Sequence, residues 1–148
     1  MTTDENKAIV RRFIEQVLNG GDVAAADQYM TAQPLEHDPW PGQPPTLEGW
    51  KQGLTALRTA LPDYRFTIED LIAEGDKIVV RGTSRGTHKG EFMGIAPTGK
   101  QFVMTELHIV RIADGKIVEH WGNHDDLGML QQLGVVPPMD IEMEATAS

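Results

Sequence analysis

The chain has 148 residues, 40% of them hydrophobic, and a formal net charge of −9, the size of one domain with an ordinary core and too short for two. The acidic balance, with no basic patch or basic helix, argues against phosphate backbones and anionic lipid, so neither nucleic acid nor a membrane surface is expected as a partner. There is no cysteine, which removes disulfides, thiolate nucleophiles and cysteine-built metal sites. The start, "MTTDENKAIVRRF", lacks a basic segment before an apolar run, and no stretch nears the roughly 18 apolar residues of a membrane span. The expectation is a soluble, cytoplasmic protein.

In chain order, Glu5 to Leu18 places Ile9, Val10, Phe13, Ile14, Val17 and Leu18 on one face at helical spacing. Asn19-Gly20-Gly21 stops that helix, and Asp22 caps a second, Val23 to Met30, with small alanines for close packing. "TAQPLEHDPWPGQPP" has too many prolines for a helix and predicts a short strand, with Leu35 and His37 on one face, followed by a rigid loop. Thr46 caps a third helix, Leu47 to Leu61, whose buried stripe is Trp50, Leu54, Leu57 and Leu61. From Tyr64 the period changes to two. Strands are predicted over Tyr64 to Glu74, Lys77 to Thr87, Lys100 to Ile112 and Lys116 to Asp125, with turns at Gly75-Asp76 and Asp114-Gly115. Leu127 to Leu133 reads as a short terminal helix. Residues 1–134 thus form one domain, and residues 135–148 lose all periodicity and read as an extended or disordered tail. Helices followed by a meander of long strands define an α+β domain, with helices on one face of a curved antiparallel sheet and a concave mouth suited to a small molecule.

The last hairpin gathers the chemistry. With a two-residue turn at Asp114-Gly115, His108 pairs with Trp121 and Glu106 with Asn123. One face then carries Phe102, Met104, Glu106, His108, Val110 and Ile112 beside Ile117, Glu119, Trp121, Asn123 and Asp125. That face grades from apolar near the turn to polar at its far end, as a pocket with a hydrophobic floor would. Glu106, His108, Asn123 and Asp125 converge in this register, and burial beside Trp121 and Phe102 would shift a carboxyl toward working pH. The plainer reading of Glu106 and Asn123 is a solvated pair. His120 and His124 fall on the opposite face, where packing or a subunit contact is expected, and His88 reads as an exposed loop residue. Asp126 caps the terminal helix in this register, whereas a β-bulge in the last strand would turn it inward in place of Asp125. His120 and His124 lie roughly 13 Å apart along a strand and cannot share an ion. No HxH pair or ExxH helix is present, so no metal is expected. A Ser-His-Asp triad, a phosphate loop and a dinucleotide fingerprint are also missing.

The opening "NKAIVRRFIEQVLNGGDVAAADQYM", the "EHDP" strand, the segment from "GWKQGLTALRTALPDYRF" to "GIAPTGK" and the closing "DGKIVEHWGNHDDLGMLQQLG" together resemble the SnoaL-like polyketide (ester) cyclase family. That family belongs to the nuclear-transport-factor-2-like superfamily, and the likeness runs from Asn6 to Gly134. It implies a cone-shaped α+β fold in which three N-terminal helices and a curved sheet enclose a pocket. It further implies intramolecular aldol ring closure, or isomerisation, of a small hydrophobic carbonyl compound without metal or organic cofactor. Carried onto this chain, the catalytic aspartate matches Asp125, its accompanying histidine matches His108, and the polar position on the first strand matches His37. Glu106 and Asn123 would contact substrate, and Trp40, Phe66, Phe92, Met93, Phe102, Met104 and Trp121 would form apolar walls. The resemblance also implies a homodimer or homotetramer through the outer sheet face, where Val103, Leu107, Ile109 and Val118 would otherwise be exposed. Two other readings stand beside it: a non-catalytic binder of hydrophobic ligands with the same cone, and an epoxide hydrolase using Arg81 or Arg85 between aspartates.

Overall fold

The computed structural model describes residues 1–139. Residues 140–148, most of the expected tail, lie outside the described residues, and Val135–Met139 carry neither helix nor strand. Thr2 opens helix α1 (Thr3–Phe13) with a reciprocal cap, its hydroxyl accepting from Glu5 N at 3.1 Å and Glu5 Oε2 accepting from Thr2 N at 3.3 Å. Ile9, Val10 and Phe13 are buried, as their spacing requires. The helix does not run unchanged to Leu18. Ile14–Asn19 widen into a π-turn that buries both Ile14 and Val17 and delivers Asn19 to the sheet. There Asn19 donates to Phe66 O at 2.8 Å and accepts from Phe66 N at 2.7 Å. The second predicted helix is a 3₁₀ turn, Val23–Gln28, capped by Asp22, and Met30 already belongs to a strand.

The strands are β1 (Met30–Glu36), β2 (Arg65–Glu74), β3 (Lys77–Thr87), β4 (Gln101–Ala113) and β5 (Lys116–His124). The other helices are α2 (Leu47–Ala60), capped by Thr46, and α3 (Asp126–Gln132), capped by Asp125. The strands form one five-stranded sheet in the order β1-β5-β4-β3-β2, antiparallel except for the β1·β5 pair. β1 is an edge strand, where Pro34 leaves no ladder bond unmet. Irregularities between Ile68 and Asp70 in β2, and between Ile117 and Glu119 in β5, bend the sheet around the helices. Val17, Leu54, Leu61, Ile78 and Ile117 are essentially without exposure and mark the core between helices and concave face. Gly82 serves that packing: a Cβ there would stand 2.1 Å from Phe66 Cζ, so the missing side chain lets the ring lie against the sheet.

α3 covers β4 beyond the end of β5. The Gln132 side chain bonds both Val103 N (2.8 Å) and Val103 O (2.9 Å), taking the place of the missing strand, while Met129 and Leu133 are buried. His88 departs from its expected exposure. It is fully buried, its Nδ1 accepts from Thr98 N at 3.2 Å, and its ring meets Phe92 edge-on, because the β3–β4 connection folds back over it. No helix among the described residues is long and apolar enough to cross a membrane.

Candidate active site

The β4–β5 turn is as predicted, with Asp114 at φ 51° and Gly115 at φ 76°, the two positive values of a tight hairpin turn. Ala113 faces Lys116 and Ile112 faces Ile117, but Arg111 then faces Glu119. Val118 is the extra residue of a bulge, and from there the register is one residue off the even pairing. His108 lies opposite Gly122 and Glu106 opposite His124. A one-residue slip exchanges the two faces of a strand. His120, Gly122 and His124 therefore turn to the concave side, whereas Glu119, Trp121, Asn123 and Asp125 turn away from it.

On the concave side an ordered set of side chains results. His108 Nε2 meets Glu106 Oε1 at 2.8 Å, and His124 Nε2 stands 3.4 Å from the same oxygen. His108 Nδ1 meets His120 Nε2 at 2.8 Å, and His120 Nδ1 meets Glu36 Oε1 at 2.6 Å. Glu36 is brought in by the parallel β1·β5 pairing, which sets it beside His120. Both carboxylates are 7% exposed, against 18–21% for the three rings. Burial pushes Glu106 upward, but the hydrogen bond and charge of His108, with Ser84 and His124 behind them, hold its carboxyl below the ordinary glutamate value. The fully buried Ser84 hydroxyl is near enough to favour that charge but falls short of hydrogen-bond geometry. Tyr64 is buried beside this carboxylate, and burial first, then the Glu106 charge, pushes its phenol well above the usual range, so it stays protonated.

Two cavity lobes meet at these groups. One, of about 110 Å³, is walled by Val10, Phe13, Trp50, Val80, Val110, Glu36 and His120 among others. The other, of about 330 Å³, is walled by Leu57, Phe92, Met93, Phe102, Met104, Asp126 and Met129 among others. Asp38, Trp40, Tyr64, Glu106 and His124 border both lobes. Two mostly apolar chambers joined at a patch of acid, base and hydroxyl groups have the form of a small-molecule site.

The structure thus gathers Glu106, His108, Trp40, Phe66, Phe92, Met93, Phe102 and Met104 around the cavity, with Asn123 at the rim of the larger lobe. It does not gather His37, Trp121 or Asp125. His37 sits on the outer face, bonded to Glu119 at 2.8 Å and stacked on Trp121 with centroids 4.8 Å apart. Asp125 is exposed, borders neither lobe, and turns its carboxylate back to accept from Gly128 N at 3.0 Å. Its neighbour Asp126 borders the larger lobe, the outcome expected of a bulge. His120, His124, Glu36 and Tyr64 are added. For His120 and His124 the signal in the sequence is charge matching: only with the bulge do Arg111 and Glu119 meet across strands, at 2.8 Å, and only then do Glu106 and His108 gain histidine partners. Arg81 is tied to Asp70 at 2.6 Å on the exposed side of the sheet, and neither Arg81 nor Arg85 borders the cavity.

Among the described residues, Glu106, His108 and His124 form the group whose ligand atoms all lie within 4.8 Å of one another. Their donor set would suit a divalent ion. In this arrangement, however, Glu106 Oε1 and His108 Nε2 bond each other directly, and the far nitrogen of His108 is engaged by His120.

A cone of helices and curved sheet around such a site defines a class, and the chain belongs to the SnoaL-like polyketide cyclase family, whose model matches residues 8–133. Aklanonic acid methyl ester cyclase DnrD of Streptomyces peucetius is 31% identical over 132 residues, which cover 85% of this chain and 88% of the relative. Aklanonic acid methyl ester cyclase DauD of Streptomyces sp. strain C5 is 33% identical over 132 residues, covering 85% and 80%. Among solved structures, TsrD from Streptomyces laurentii superposes with a TM-score of 0.83 at 27% identity, covering 92% of this chain and 99% of that one. IdmH from Streptomyces antibioticus does so with a TM-score of 0.77 at 35% identity, covering 88% and 99%. The expected cone-shaped α+β fold is the fold observed.

Proposed function

We propose that the protein is a cofactor-independent ring-closing enzyme for a polyketide-type carbonyl compound, with Glu106 as its base. The observation that carries this is the placement of a buried carboxylate, kept ionised by two imidazoles, at the junction of two apolar chambers. Glu106 removes a proton from carbon flanked by carbonyl groups. The electron pair passes into an enolate, whose oxygen accepts from the neutral Tyr64 hydroxyl, a donor already in position when the charge develops. His108 orients Glu106. The enolate carbon then bonds the facing carbonyl carbon, whose oxygen takes up a proton, so the product is an isomer of the substrate. Holding one flexible molecule folded across both lobes makes this step effectively unimolecular. Asp125 is assigned the helix cap instead of the base.

The test uses aklanonic acid methyl ester, the compound in the relatives' names. Wild-type protein should convert it to a product of unchanged mass, and Glu106→Gln should slow this by about 10²–10⁴-fold, the usual contribution of a positioned base. No conversion by wild type, or full conversion by Glu106→Gln, would contradict the proposal. We further propose a homodimer through the outer face of β4, supported by Val103, Leu107 and Ile109, which are 36–52% exposed there. A row of apolar side chains on one strand can face its own symmetry copy.

A further inference from the structure

We propose that Glu36 and His120 are the acid end of the same site: Glu36, His120, His108 and Glu106 form one hydrogen-bonded chain that holds three protons and passes one from base to acid in each turnover. This rests on the reading of Glu106 as the base.

The proton count follows from the geometry. An ionised carboxylate can only accept, so a proton lies between Glu36 Oε1 and His120 Nδ1 (2.6 Å), and another between Glu106 Oε1 and His108 Nε2 (2.8 Å). If those were the only ones, each imidazole would be neutral and would turn a bare lone pair to the other. Yet His108 Nδ1 and His120 Nε2 are 2.8 Å apart, with the two rings only 25° from parallel. Two lone pairs do not approach so closely, and a proton must lie between them. Three contacts thus contain three protons, wherever each rests along its bond. Two carboxylates and two imidazoles with one proton beyond neutrality carry a net charge of −1.

The backbone is shaped for this chain. The Val118 bulge turns His120 inward, and the parallel β1·β5 register sets Glu36 beside it. Gly122 lies under the two rings. A Cβ there would be 2.7 Å from His108 Nδ1, so only glycine lets the nitrogens meet. The end of β1 is locked in turn, since Asp38 N donates to Glu36 Oε1 at 3.0 Å and Asp38 Oδ2 accepts from Gly122 N at 2.8 Å. Both end carboxylates border the smaller lobe, so each can reach a different atom of one substrate.

Ring closure needs such a pair. One carbon loses a proton and one oxygen, elsewhere on the same molecule, gains one. Each proton first crosses its own contact: Glu106 passes one to His108, His108 passes one to His120, and His120 passes one to Glu36, after which the bare Glu106 takes the proton from carbon. Glu36 gives one to the oxygen of the attacked carbonyl, whose π pair has become the alkoxide. The C–H pair has become the new C–C bond, and each group has gained and lost one proton. The chain returns to its starting count without drawing on solvent.

The first test needs no substrate. In protein labelled with ¹⁵N-histidine, the wild type should show a proton in each of the three contacts, including one strongly deshielded signal coupled to both His108 Nδ1 and His120 Nε2. His120→Asn should abolish that signal. A chain with only two protons, or with no coupling between the two rings, overturns the proposal. The second test compares deuterium uptake at the acidic carbon of aklanonic acid methyl ester with its cyclisation. Glu36→Gln still accepts a bond but cannot pass a proton, and it should raise the ratio of exchange to ring closure by about 100-fold, at the low end for a lost general acid. An unchanged ratio overturns the relay. If Glu106→Gln leaves exchange intact, the assignment of the base fails instead, and the two failures are told apart.

Discussion

Replacing Glu106 by Gln keeps the shape of a buried side chain and removes its charge. Two histidines depend on that charge, His108 at 2.8 Å and His124 at 3.4 Å. A hydrogen bond to a charged group contributes about 1.5–3 kcal/mol. The rings keep 18–19% exposure, and water will recover part of the loss, so the expected cost at neutral pH is about 2 kcal/mol. For a chain of this size that lowers Tm by roughly 4–8 °C. The pH dependence has a defined sign. Glu106 is held below its ordinary value of 4.5 in the folded protein, so the unfolded chain binds the proton first and stability falls as pH falls. The stabilisation is complete above about 4.5 and is lost as pH drops through the folded value. Urea unfolding of wild type and Glu106→Gln, from neutral pH down through that range, should show a gap in midpoint that closes with acidification, at an unchanged slope. A variant as stable as wild type at neutral pH, or a gap that widens in acid, would refute the reasoning.

Gly122→Ala should push His108 and His120 apart, since the new Cβ would stand 2.7 Å from His108 Nδ1 and 3.1 Å from His120 Cε1. Overpacking at this point should cost about 1–3 kcal/mol in urea unfolding. Asp125→Ala removes the cap on Gly128 N and should cost about 1 kcal/mol, whereas Asp125→Asn, which still caps, should cost a few tenths at most. Leu107→Lys, on a side chain 52% exposed, should convert a dimer to a monomer in sedimentation while changing the protomer's stability by less than about 0.5 kcal/mol. An unaltered sedimentation coefficient would remove that face as the interface.

The elements were legible because their signals are local. Asp22 and Thr46 cap helical turns, Asp114-Gly115 makes a tight turn, and β4 alternates from Phe102 to Ile112 as a half-buried strand should. The site was legible on β4, which carries Glu106 and His108, and illegible on β5. One residue, Val118, decides which side of the sheet receives His120 and His124 and which receives Trp121 and Asp125. A bulge leaves no mark in hydrophobic periodicity when the residues after it are polar on both faces, as Glu119 to Asp125 are. Glu36 was missed for a different reason. Its place depends on a parallel pairing between strands far apart in sequence, with an irregular register after Met30, which no local pattern announces. The family likeness placed an acid near the end of β5, and the fold uses Asp125 there to begin α3.

The most direct test sets two acids against each other in one assay. Glu106→Gln and Asp125→Asn are compared with wild type for conversion of aklanonic acid methyl ester at a temperature where all three are folded. Glu106→Gln should lose about 10²–10⁴-fold in turnover, and Asp125→Asn should keep the wild-type rate. The reverse ranking, with Asp125→Asn inactive and Glu106→Gln unaffected, would contradict a base at the junction of the two lobes.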